Sequence, residues 1–105
     1  MKIKVCGITR EEDIAELLLA GVDFIGFNFI KSSPRYIDIN WAVNIINKYN
    51  IQKKAVPLCE ISDLKTIHHK LKNLDLPFYQ IYKVHDSFNQ IEKFNLNYFL
   101  PTSAT

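Results

Sequence analysis

The sequence is poor in cysteine and in long apolar runs, and both shortages exclude whole classes of protein. Its two cysteines, Cys6 and Cys59, are too few and too far apart for a disulfide framework, which fits a reducing compartment. No apolar run approaches the roughly 20 residues that are needed to cross a bilayer. The charged stretch Arg10–Asp13 follows too closely on the start for the apolar segment of a secretory signal. We therefore expect a cytoplasmic protein with no membrane partner.

An excess of charge of one sign is also absent. The 13 basic and 11 acidic residues are spread along the chain and leave a formal net charge of +2. Because no basic stripe carries interleaved aromatic residues, we expect no nucleic-acid partner. His68 and His69 are adjacent, so on a helix they would point about 100° apart, and no third ligand stands at a supporting spacing. We therefore expect no metal site.

What is present is the composition of a soluble globular domain, with 48% hydrophobic and 23% charged residues. Short apolar runs alternate with amphipathic stretches of helical period, which is the pattern of βαβ units on a parallel sheet. Residues 24–27 (Phe-Ile-Gly-Phe) are apolar throughout, as expected of a strand that is buried on both faces. We predict strands at residues 2–6, 23–29, 53–59, 77–82 and 97–100, in one domain of about four and a half βα units that spans residues 1–105.

Local signals mark the ends of the intervening helices. Thr9 followed by Glu12 forms a capping box at the start of the first helix, and Gly21 is placed to end it in a left-handed conformation. The second helix is predicted to begin near Asn40, and Ser87 with Gln90 to cap the fourth. The predicted buried stripes are Ile14, Leu17 and Leu18 in the first helix, Trp41, Ile45, Ile46 and Tyr49 in the second, and Leu64, Ile67, Leu71 and Leu74 in the third.

Two residues at the predicted carboxyl ends of strands could carry chemistry, because loops and helix starts converge there in parallel α/β folds. Cys6 ends the first strand just before a predicted helix start, where the helix dipole and nearby cations favour a thiolate. Arg35 lies in the polar loop after the second strand, and its planar guanidinium suits a carboxylate or a phosphate. Each also has a plainer interpretation, with Cys6 a small buried apolar residue and Arg35 a loop residue paired to Asp38.

Three motifs in register give these two residues a specific context. They are Lys-Val-Cys-Gly-Ile-Thr-Arg at residues 4–10, Ala-Gly-Val-Asp at 20–23 with Gly-Phe-Asn-Phe at 26–29, and Ser-Pro-Arg-Tyr at 33–36. In residue type, order and spacing they resemble the opening of phosphoribosylanthranilate isomerase, a (β/α)₈-barrel enzyme of tryptophan synthesis. The resemblance implies an Amadori rearrangement of N-(5-phosphoribosyl)anthranilate that needs no cofactor. It also implies Cys6 as the general base for the sugar C2 proton and Arg35 as the residue that holds the anthranilate end.

The resemblance also implies that part of the catalytic machinery lies beyond these residues. A complete barrel of this kind needs roughly 200 to 250 residues, so we predict that the 105 residues form about half of one. The family's general acid, an Asp on the sixth strand, and its phosphate grip after strands seven and eight fall outside that half. We therefore expect a truncated or split chain that is inactive alone and that a complementing half-barrel chain could reactivate.

Beyond about residue 50 the sequence departs from the family pattern. Pro57 interrupts the predicted third strand, and because proline lacks a ladder donor it favours an edge position for that strand. Where the family tends toward Gln-Leu-His-Gly in the fourth strand, this chain has Gln80, Ile81, Tyr82 and Lys83. A bulky, charged pair thus replaces His and Gly at the rim, and the roles of Gln80, Tyr82 and Lys83 stay open.

Two other interpretations of the same elements remain open. A non-catalytic half-barrel would be a binding or assembly module, whose open strand edges and uncovered inner face would pair with a second copy. Alternatively, the five predicted strands could form a doubly wound, flavodoxin-like sheet with helices on both faces. No Gly-rich phosphate loop supports nucleotide binding by such a sheet.

Overall fold

The computed structural model describes residues 2–82 and the backbone of residues 98–99. In this part of the chain five parallel strands lie side by side in the order in which they occur in the sequence. They are β1 Lys4–Val5, β2 Phe24–Asn28, β3 Ala55–Glu60, β4 Tyr79–Tyr82 and β5 Tyr98–Phe99. Each falls on one of the five predicted runs, so the prediction of a parallel α/β fold is confirmed.

Three helices connect the first four strands. They are α1 Glu11–Ala20, α2 Ile39–Tyr49 and α3 Leu64–Leu71, with 3₁₀ turns at Ile61–Asp63 and Lys72–Leu74 on either side of α3. Each helix crosses over between two neighbouring parallel strands, and such crossovers are right-handed. Because every new strand joins the sheet on the same side of the previous one, all the helices lie on one face of the sheet. A doubly wound sheet needs a strand order that reverses, so the flavodoxin-like alternative is wrong. The sequential order is that of a (β/α)₈ barrel.

The apolar core lies between the helices and one face of the sheet. Strand side chains alternate between faces, and the odd-numbered residues of β2, β3 and β4 point to the helices. The buried cluster on that side includes Ile25, Phe27, Ala55, Cys59, Tyr79 and Ile81 from the strands and Ile14, Ile45, Ile46 and Leu71 from the helices. Val56 and Leu58 are also buried but do not belong to that cluster. We use the name inner face for the opposite side of the sheet, formed by Cys6 and the even-numbered residues of 24–28, 56–60 and 78–82.

The first helix begins differently from the prediction. Arg10 is the N-cap and its side chain makes no capping hydrogen bond, so the capping box of Thr9 and Glu12 is wrong. The first turn instead carries three acidic residues, Glu11–Asp13, which the positive end of the helix dipole favours. The far end agrees with the prediction, because Gly21 ends the helix in the left-handed region at φ 77°.

The second helix has a side-chain cap. The carboxylate of Asp38 accepts hydrogen bonds from the backbone N–H groups of Asn40 at 2.9 Å and Trp41 at 3.3 Å. These bonds satisfy two of the donors that a helix start leaves free. Within residues 2–82 the ion pairs of the chain do not include Arg35. The plainer interpretation of Arg35 as the partner of Asp38 is therefore wrong.

Pro57 lies in the central strand of the sheet and not at an edge, so that prediction is wrong. β3 pairs with β2 on one side and with β4 on the other. The backbone N–H of Phe29 donates to the carbonyl of Leu58 at 2.9 Å, so even-numbered residues of β3 face β2 and Pro57 faces β4. The pairing of β3 with β4 begins at Leu58 opposite Gln80. The missing N–H of Pro57 therefore falls just before that ladder starts.

Some predictions fall outside the described residues, among them the capping of a fourth helix by Ser87 and Gln90 and the rim position of Lys83. Within residues 2–82, no helix has the length and apolar character that a membrane span requires. The same part of the chain contains no group of three or more His, Cys, Asp or Glu side chains that could hold a metal ion.

Candidate active site

The carboxyl ends of β1 to β4 surround one cavity of about 870 Å³. Parallel strands bring the residues that follow them to the same edge of the sheet, which is where barrel enzymes hold their substrates. We use the name mouth for this cavity. It is lined by Cys6 and Gly7 after β1, Asn28 and Ile30 around the end of β2, Ser32–Arg35 in the following loop, Leu58 and Glu60 in β3, and Tyr82 in β4.

Both residues that the sequence analysis selected for chemistry line the mouth. Their closeness depends on Gly7, which lies in the left-handed region at φ 79°. A Cβ at this position would overlap Cδ of Arg35 and would lie 3.0 Å from its Nη1. The Arg35 side chain therefore packs on bare backbone next to Cys6. The structure brings thiol and guanidinium together, and their chemical roles stay predictions.

Gly26 makes room for Cys6 on the inner face. A Cβ on Gly26 would lie 3.2 Å from Sγ and 3.1 Å from Cα of Cys6, and 2.9 Å from Cδ1 of Leu58. Contacts this close are tighter than packed side chains accept, so any larger residue would displace Cys6 or Leu58. Gly26 was part of the motif found in the sequence, but only the packing explains it.

The loop that carries Arg35 is fastened to the end of β2. The hydroxyl of Ser33 accepts hydrogen bonds from the backbone N–H of Arg35 at 3.1 Å and from Nδ2 of Asn28 at 3.2 Å. Oδ1 of Asn28 in turn accepts from the backbone N–H of Ile30 at 2.8 Å. These short-range bonds link Asn28 of the second motif to Ser33 of the third, and they fix the loop backbone from which the Arg35 guanidinium extends.

Comparisons with known proteins give this mouth a context, although no family model matches the chain. The N-(5'-phosphoribosyl)anthranilate isomerase of Chlorobaculum tepidum is 58% identical over 45 residues, which are 43% of this chain and 20% of that protein. The isomerase of the same name from Methanothermobacter marburgensis is 32% identical over 84 residues, which are 80% of this chain and 37% of that protein.

A solved structure extends the likeness to nearly the whole chain. It is a phosphoribosylanthranilate isomerase in complex with reduced 1-(o-carboxyphenylamino)-1-deoxyribulose 5-phosphate, with a TM-score of 0.77 at 21% identity. The match covers 95% of this chain and 52% of that one. This chain is similar to the amino-terminal half of phosphoribosylanthranilate isomerase. The resemblance inferred from the three motifs and the prediction of a half-barrel fold are thereby confirmed. The chain spans about half the length of that isomerase structure and 20% and 37% of the two relatives.

Tyr82 stands where the isomerase family tends to have His, and it lines the mouth. Its phenol oxygen accepts a hydrogen bond from Nε2 of Gln80 at 3.0 Å. Burial raises the pKa of the Tyr82 phenol, and the negative charge of the Cys6 thiolate raises it further. Tyr82 therefore keeps its proton at neutral pH and can donate it in a hydrogen bond. Oε1 of Gln80 is buried and has no hydrogen-bond partner within the described part of the chain.

Glu60 is the residue of the mouth that the sequence analysis missed. It ends β3 on the inner face and lies opposite Tyr82 in the β3–β4 register. The signal was available, since alternation along β3 puts residues 56, 58 and 60 on one face and residue 60 at the carboxyl end. Its carboxylate adds a negative group to the cavity that also contains Arg35.

The two cysteine thiols, Cys59 and Cys6, differ in burial. Cys59 is fully buried on the helix side of β3, and burial raises the pKa of its thiol to about 12. A buried thiol with so high a pKa stays protonated and unreactive near neutral pH. Cys6 is half-buried at the mouth, so reagents and substrates reach it and not Cys59.

Proposed function

We propose that the chain supplies one side of a phosphoribosylanthranilate isomerase active site, with N-(5-phosphoribosyl)anthranilate as the substrate. The observation that supports this most strongly is the packing of Arg35 across Gly7, directly beside Cys6. A guanidinium binds a carboxylate through two parallel hydrogen bonds, so Arg35 suits the carboxylate of the anthranilate ring. The thiolate of Cys6, next along the mouth, is then placed near the sugar carbons that are attached to the anthranilate nitrogen.

The chemistry needs one base and one acid, and no redox partner. An acid protonates the ring oxygen of the ribose, the bond from C1 to that oxygen breaks, and the nitrogen lone pair forms an iminium. Cys6 then takes the proton from C2. The electrons of the C2–H bond form a C1–C2 double bond, the iminium electrons return to nitrogen, and the resulting enolamine tautomerises to the 1-amino-2-ketose. Each proton transfer is a general acid or base step.

The acid and the phosphate grip lie, by the family resemblance, on strands that follow the five described here. General acid catalysis alone is worth about 10² to 10⁴ in rate. The 105 residues by themselves are therefore expected to show no measurable turnover. The partner in this proposal is a complementing half-barrel, and the compartment is the cytoplasm, where Cys6 stays a free thiol.

Complementation tests the proposed function. The 105-residue chain is co-expressed with the part of the Methanothermobacter marburgensis isomerase that follows the segment it matches, and loss of substrate fluorescence is followed. Neither half is expected to turn over alone, and the purified complex of both is expected to do so. A one-to-one complex without turnover would contradict the proposal. A discrete dimer of the 105-residue chain that excludes the second half would favour the assembly module instead.

A further inference from the structure

We propose that Tyr82 is a positioning residue for the Cys6 thiol, with its hydroxyl, held from behind by Gln80, donating a hydrogen bond across the mouth to the thiolate. The proposal rests on the function proposed above and deepens it. It concerns a position at which this chain departs from the His of the isomerase family, so the family pattern does not supply it.

The first argument is placement. Tyr82 is the last residue of β4 and Cys6 directly follows β1, and both line the mouth on the inner face, at the carboxyl end of the sheet. β2 and β3 lie between these two strands. On the inner face, Gly26 of β2 has no side chain, and Leu58 of β3 lines the mouth together with Cys6 and Tyr82. Both groups line the same cavity, and after burial the charge of Cys6 is the second cause of the raised pKa of the Tyr82 phenol.

The second argument is the direction of the hydrogen bonds. The phenol oxygen of Tyr82 accepts from Nε2 of Gln80 at 3.0 Å, so its own proton is not used in that contact. A hydroxyl has one donor and can accept at the same time. The donor is therefore free for an acceptor in the cavity. The cavity is also lined by the thiol of Cys6, the carboxylate of Glu60 and the guanidinium of Arg35.

The third argument is the chemical result of such a bond. A neutral donor that is aimed at a thiolate stabilises the charged form, and it holds the sulfur in one orientation. Bonds in a chain polarise one another, so the Gln80 amide strengthens the donation from Tyr82. The Arg35 guanidinium packs across Gly7, the residue after Cys6 in the chain, and lines the same cavity. Cys6 would thus face a donor from β4 and a cation from the loop after β2.

Alkylation of Cys6 by iodoacetamide, followed by intact mass over a range of pH, tests the proposal without any turnover assay. Buried Cys59 does not react near neutral pH, and Cys6→Ala shows which signal belongs to Cys6. Tyr82→Phe removes the donor and keeps the ring. We expect alkylation at pH 7 to slow by about three- to fivefold, and the midpoint of the rate against pH to rise by about half to one unit.

Two matched variants separate positioning from folding. Tyr79→Phe removes a hydroxyl from the same strand but from the helix face, and it should leave the alkylation profile unchanged. Tyr82→His restores an N–H donor and should return the rate at pH 7 to within about twofold of the original chain. An unchanged profile in Tyr82→Phe would overturn the proposal, and so would an equal effect of Tyr79→Phe. Failure of complementation with a Tyr82-dependent profile would overturn the isomerase function alone.

Discussion

In the complex of this chain with a complementing half-barrel, the complemented enzyme, Cys6→Ala is expected to lower kcat about 10²- to 10⁴-fold, which is the usual rate contribution of a general base. The change removes the only group at the mouth that we assign to the C2 proton, and it leaves Arg35 in place. KM should therefore change little, because the anthranilate carboxylate keeps its partner. Steady-state kinetics of the purified complex of the two halves measures both constants.

The matched control is the second thiol of the chain. Cys59→Ala also removes a sulfur, but from the helix side of β3, where it is fully buried. It should lower stability by about 1 to 2 kcal/mol through the lost packing, with kcat unchanged in the folded fraction. Equal losses of kcat in the two variants, or a Cys6→Ala enzyme with normal kcat, would remove Cys6 from the role of base.

Gly7→Ala is expected to raise KM about 10- to 100-fold, because the substrate loses a charge-assisted hydrogen bond between Arg35 and the anthranilate carboxylate. The new Cβ would overlap Cδ of Arg35 and lie 3.0 and 3.2 Å from Nη1 and Nε, so the guanidinium must leave its place. The left-handed backbone at φ 79° adds strain of about 1 to 2 kcal/mol. Kinetics of the complemented enzyme and chemical denaturation measure the two effects.

Gly21→Ala separates strain from displacement. Gly21 has nearly the same backbone angle, φ 77°, but a Cβ there would meet no atom within 4 Å. The two variants should therefore lose similar stability from backbone strain, while only Gly7→Ala raises KM. If Gly21→Ala raised KM as much, the effect would be one of general destabilisation. If neither did, Arg35 would not bind substrate from its place over Gly7.

The sheet could be predicted from the sequence because its signals are local. Each strand is a short apolar run between helical stretches, and Gly21 occupies a helix end that only a left-handed residue can form. The motifs around Cys6 and Arg35 placed both residues at strand ends, and parallel strands bring those ends together. The resemblance supplied the identity of the half-barrel, which periodicity alone could not.

The errors arise where tertiary contacts override local preference. Thr9 and Glu12 have the spacing of a capping box, yet the helix starts one residue later, at an Arg10 cap without a side-chain bond. Pro57 favours an edge, yet it sits in the central strand because the β3–β4 ladder begins one residue after it. Glu60 was missed because the third strand was predicted to end at residue 59, whereas β3 continues through Glu60.

The most direct test of the account asks whether one ligand engages Cys6 and Arg35 together. In the complemented enzyme, alkylation of Cys6 is measured against the concentration of reduced 1-(o-carboxyphenylamino)-1-deoxyribulose 5-phosphate, the compound bound by the similar solved isomerase. The account predicts that saturating compound slows alkylation at least about tenfold, and that Arg35→Ala raises the concentration needed by about 10- to 100-fold. Bound compound that leaves the alkylation of Cys6 unchanged would contradict it.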